Sequence, residues 1–169
     1  MFYHKCIENF AQLDDPDLKE KVHKEIIKFN SQHLHLDLNN QISHKTITIE
    51  EPDHLDKKAF HHIHIDNLFK EAQVAKIIAI FITSSRDYVQ GGELKFGNWE
   101  DPVAVNNYGQ PLTKDINNAA PVYLNEQGSL IIFPAVEKFG TNPVVSGKLI
   151  FERFVVVGDN YKWQSIENQ

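Results

Sequence analysis

With 169 residues, 41% of them hydrophobic and 24% charged, the chain is long enough for one globular domain with a core of its own. Seventeen basic residues against 23 acidic ones leave a net charge of −6, which argues against a nucleic-acid-binding surface, where Lys and Arg must cluster. Cys6 is the only cysteine, so no internal disulfide can form and a reducing compartment is expected.

The first ten residues, Met1 to Phe10, mix charged and polar side chains and lack the apolar core of a signal peptide. No stretch approaches the ~18 apolar residues of a membrane helix. A cytoplasmic protein without membrane or nucleic-acid partners is therefore expected. Asp14-Asp15-Pro16 reads as a helix start, with an acceptor side chain at the cap and Pro in the first turn. Leu18, Val22, Ile26 and Phe29 then recur at helical spacing, which predicts an amphipathic packing helix over 16–30.

From His33 the period changes to two. His33 to Leu38, Ile47 to Ile49 and, less regularly, Phe60 to Ile65 read as half-buried strands. Residues 67–75 read as a short helix or loop. Lys76 to Thr83 is a compact apolar run, predicted as a strand buried on both faces. Glu93 to Phe96 follows the pair Gly91-Gly92 as another strand. A polar stretch, 97–118, reads as a long loop, a length uncommon unless it serves function. Leu130 to Phe133 and Leu149 to Val157 are the last predicted strands. Many short strands behind one helix predict a mainly β fold, a jelly roll in a single domain spanning 1–169.

Histidine is the informative excess: all nine lie between His4 and His64, and none follows. His64-Ile65-Asp66 places an imidazole and a carboxylate two positions apart on a predicted strand, where both point the same way. Two His and one carboxylate on one face commonly hold non-haem Fe(II) and leave positions open for a co-substrate and O₂. His62 shares that strand face. His33-x-His35-x-Asp37 repeats the pattern, although His residues on an exposed strand are usually solvated polar positions.

Three segments together resemble the prolyl/lysyl-hydroxylase-like branch of the 2-oxoglutarate/Fe(II) oxygenases. They are His64-Ile65-Asp66, the run KIIAIFITSSRDYVQGGELKF over 76–96, and QGSLIIFPAVEKFGTNPVVSG over 127–147. The resemblance covers roughly 55–158 and implies a double-stranded β-helix, with Fe(II) and 2-oxoglutarate as cofactors. It also implies hydroxylation-type oxidation of a small molecule or a protein side chain. His64 and Asp66 would be two of the iron ligands.

The family's second iron-binding His lies five residues after the Phe-Pro proline and four before the Pro-Val proline. Counting from Pro134 and from Pro143 gives the same position, and it holds Phe139. Three readings stay open. The chain is a catalytically silent binding protein on the same fold; or another group, Glu137 first and His62 behind it, completes the metal site; or His64 and Asp66 serve something other than metal redox chemistry. The resemblance also implies a basic anchor for 2-oxoglutarate about ten residues past the missing His. Ungapped counting reaches Leu149 with Lys148 beside it, whereas a four-residue insertion aligns Arg153. Arg suits the task because its planar fork pairs with a carboxylate in two places; the alternative for Arg153 is a surface ion pair with Glu152 or another acid. Tyr88, Gly91, Gly92 and Glu93 are expected to serve structure, and Trp99 and Tyr108 either line a substrate mouth or pack the loop.

Overall fold

A computed structural model describes residues 4–60, 73–97, 103–112, 122–123, 126–160 and 162–164. It is mainly β, with one α-helix. The elements run β1 (Lys5–Ile7), α1 (Leu18–Phe29), β2 (Ile42–Glu50), β3 (Lys58–Ala59), β4 (Gln73–Ile82), β5 (Gln90–Gly91), β6 (Leu94–Phe96), β7 (Val103–Val105) and β8 (Val122–Tyr123). They continue with β9 (Leu130–Pro134), β10 (Lys138–Thr141), β11 (Val144–Ser146), β12 (Lys148–Asp159) and β13 (Lys162–Gln164). Five strands form one sheet in the order β1-β9-β4-β12-β2, and four form a second in the order β3-β10-β6-β8. All the pairings are antiparallel.

Alternation along the long strands decides where each core lies. Ile78, Ile80 and Ile82 of β4, Ile131 and Phe133 of β9, and Leu149, Phe151 and Val155 of β12 join Leu94, Phe96 and Phe139 of the smaller sheet in the inner core. Their neighbours Ile77, Ala79, Phe81, Leu130, Ile132, Phe154 and Val156 point to the other face. There they pack with Leu18, Val22, Ile26 and Phe29, the apolar stripe of α1. The predicted two-sided burial of β4 follows from its place in the middle of the five-stranded sheet.

Several expectations need correction. The helix begins at Leu18, not residue 16: Asp15 accepts from the Asp17 amide and pairs with Lys21, so the acidic start precedes the first helical turn. The strand predicted from His33 to Leu38 is absent. The helix instead runs on into a π-turn at Asn30–Leu34 that ends at His35, which is left-handed with φ 52°. Asn30 holds that reversal by donating to the Leu36 carbonyl and accepting from the Leu36 amide, both at 2.8 Å. Leu34 and Leu36 are both buried, so the two-residue period marked real burial without a ladder. The polar stretch 97–118 is also not all loop, because its β7 pairs with β13.

The paired glycines act as expected. Gly91 has φ 78°, and a Cβ there would lie 2.3 Å from the Pro143 carbonyl oxygen, so only Gly lets β5 approach the segment before β11. Glu93 accepts from the Asn142 side chain at 3.0 Å. Tyr88 differs: its side chain is exposed, and only its backbone is used, with the Tyr88 carbonyl pressed against Gly147.

Candidate functional site

The inner face of β12 and the start of β10 build the candidate site. Arg153 follows Leu149 and Phe151 at two-residue intervals, so all three face the inner core from β12. Phe139 enters from β10, where it pairs with Phe96 of β6 on one side and Lys58 of β3 on the other. Phe139, Phe151, Arg153, Ile47, Leu55 and Phe60, with Asp56 and Lys58 at the rim, line a cavity of about 40 Å³. That volume suits a water or two and falls well below the ~300–1,000 Å³ of ordinary ligand pockets.

Phe139 is buried, and its ring lies 5.0 Å from Phe133, 5.9 Å from Phe60 and 6.4 Å from Phe96, centroid to centroid. These tilted contacts are the arrangement aromatic rings prefer, and the position is filled as core. Leu149, where ungapped counting places the basic anchor, is fully buried in the same cluster.

Arg153 is the polar exception. Its guanidinium lies 4.6 Å from the centre of the Phe60 ring, a cation–π contact. Burial pulls its pKa below the ordinary value, and its Nε is enclosed without a hydrogen-bond partner among the described residues. Glu152, one alternative partner, points to the opposite face, where it accepts from Thr46 at 2.6 Å and meets His44 at 2.8 Å. Lys148 is exposed and pairs with Glu50 at 3.3 Å, away from the cavity.

Glu137 sits in the turn between β9 and β10, fully buried, with both carboxylate oxygens unpartnered among the described residues. Desolvation pushes its pKa up to about 8, so it is neutral at pH 7. It is not among the side chains lining the cavity that Phe139 and Arg153 share. His62, His64, Asp66 and Trp99 lie outside the described residues. Tyr108 is exposed, its ring 5.0 Å from His35. The His33-x-His35-x-Asp37 pattern is not brought together: His33 lies against Phe29, and Asp37 pairs with buried Lys76 at 3.6 Å. Among the described residues no three His, Cys, Asp or Glu side chains meet as a metal group. Lys45, which sequence reasoning passed over, stands directly opposite Arg153 on β2. Only strand register could have singled it out.

The two-sheet architecture with an outer helix is a jelly roll. Among solved structures, a Pseudomonas putida prolyl-4-hydroxylase is similar over 98% of this chain and 89% of its own, at 10% identity and a TM-score of 0.61. A viral collagen prolyl hydroxylase from Paramecium Bursaria Chlorella virus-1, solved as a 2OG complex, is similar over 92% of this chain and 96% of its own. Its identity is also 10% and its TM-score 0.58. At that identity the likeness is one of fold. No protein-family model matches the sequence, and no curated protein does.

Proposed function

We propose that this chain is a catalytically silent binding protein on the oxygenase jelly roll, holding a carboxylate at Arg153. The carrying observation is the Arg153 guanidinium on a cavity wall, its Nε enclosed without a hydrogen-bond partner and no ion pair formed among the described residues, although Asp56 lines the same cavity. Even a half-buried cation without a counter-ion carries a desolvation cost, and a ligand carboxylate would supply the missing partner with two parallel hydrogen bonds. Phe60 would keep the guanidinium oriented.

Position 139 does not fit the iron chemistry that the resemblance implies. A phenyl ring at position 139 has no lone pair to give a metal, and it is held by Phe60, Phe96 and Phe133 in a packed core. Nor does the 40 Å³ cavity have room for a whole 2-oxoglutarate, so a ligand reaching Arg153 there would insert little beyond its carboxylate. The test is calorimetry of acetate and 2-oxoglutarate against wild type and Arg153→Met, with Fe(II) titrated anaerobically beside them. Carboxylate binding lost in Arg153→Met, with weak iron binding, is expected. Tight iron binding with 2-oxoglutarate turnover by the wild type would refute the silent reading.

Glu137 favours a second reading, an active oxygenase acting on a small molecule or protein side chain with Fe(II) and 2-oxoglutarate. A buried carboxylate with no partner among the described residues, two residues from Phe139, would be the substitute ligand beside His64 and Asp66. Iron binding abolished by Glu137→Ala would favour it.

A further inference from the structure

The outer edge of β2 is the most unusual surface of the fold. Among the described residues β2 ends the five-stranded sheet, bonds only to β12, and offers nine residues of edge, Ile42–Glu50. A long edge strand presents a row of unpaired N–H and C=O groups to any second chain. On its outer face the acids have partners: Glu50 pairs with Lys148, and Glu152 bonds His44 and Thr46. The inner face differs. Ile47 and Ile49 join the inner core, and Lys45 then stands directly opposite Arg153, cation against cation, with no ion pair to either among the described residues.

Like charges directly opposite across two strands destabilise the pair, so this arrangement carries a cost that an incoming acid would remove. An inward-pointing Lys on an edge strand also repels apolar strands. The same residue admits a strand that brings a carboxylate, and selectivity by exclusion works in that way. A second copy of this edge lacks the acid. The inner-face residues of β2 are Ser43, Lys45, Ile47 and Ile49, so two copies paired antiparallel would set Lys45 against isoleucine, serine or another Lys45.

We propose that the edge of β2 docks an extended acidic peptide segment, which pairs main chain to main chain with Ile42–Glu50 and sets a carboxylate opposite Lys45. Main-chain bonds supply affinity in such strand addition, and the side chains opposite supply specificity. This docking does not depend on a small carboxylate binding at Arg153. The two fail separately, because excess acetate tests the one and a peptide the other.

The probe is a labelled peptide of alternating Thr and Val with one central Glu, matched in length to β2, and sister peptides with central Gln or Lys. Fluorescence anisotropy on the full chain is expected to show saturable binding, weaker by about tenfold for the Gln peptide, equivalent to ~1.4 kcal/mol. Lys45→Glu should reverse the order and favour the Lys peptide, and hydrogen exchange should slow at the amides of 42–50 alone. Equal binding of the three peptides, protection elsewhere, or no binding at all would overturn the proposal. Should Lys45→Glu fail to fold, the ranking of the three peptides on the wild type still decides.

Discussion

Glu137→Gln isolates the one carboxyl that is completely buried among the described residues. Its pKa moves from 4.5 to about 8 because burial penalises the charged form. Between those values the unfolded chain has released the proton and the folded chain keeps it, so stability falls as pH rises, by ~1.4 kcal/mol per unit. Over the 8 − 4.5 = 3.5 units the loss is about 5 kcal/mol, a large share of a small domain's stability. His4 works in the opposite sense. Burial lowers its pKa from 6.5 to about 4, so the unfolded chain binds the extra proton and stability rises with pH across that window. The wild type should therefore be nearly flat from pH 4.5 to 6.5 and lose stability from 6.5 to 8. Glu137→Gln should instead rise to pH 6.5 and then stay level. Urea unfolding at half-unit pH steps, read by Trp fluorescence, measures both curves. Parallel curves for the two proteins would refute the assigned burial of Glu137.

Phe139→Ala should cost about 3–5 kcal/mol in urea unfolding, because the ring fills a site bounded by three other phenylalanines that cannot collapse freely. Phe139→His should strengthen Fe(II) binding by the ~10- to 100-fold that changes around metal sites produce, if His64 and Asp66 face it; calorimetry with no gain would remove iron from consideration. Gly147→Ala should lower the melting temperature, since a Cβ there would lie 1.9 Å from the Tyr88 carbonyl oxygen at φ 79°, and calorimetric scanning gives the shift.

Strand periodicity and the order of three short motifs made the fold legible before any coordinates. The run from Lys76 to Thr83 became the centre of the large sheet, and Gly91-Gly92 became a contact too close for a Cβ. The failures share a cause: local pattern reports burial, not hydrogen bonding. Leu34, Leu36 and Leu38 alternate because all three lean on the core around α1, while Asn30 turns the backbone between them in a way no period reveals. Position 139 was legible because two prolines fixed it by counting. The packing of Phe139 could not be read, since its partners Phe60, Phe96 and Phe133 come from three separate strands or turns.

Arg153 and Lys45 carry that contrast into the site. Sequence alone offered Arg153 a surface pairing with Glu152, its immediate neighbour. On a strand, neighbours point to opposite faces, so that pairing was the one the geometry forbids, and Glu152 turns to His44 and Thr46 instead. The cross-strand neighbours of Arg153 are Ile80 on β4 and, 108 positions earlier on β2, Lys45, another cation. Two such cations at the edge of an apolar interior are well arranged to receive an acid. Carboxylate binding at Arg153 and strand docking at Lys45 both rest on that pair of cations.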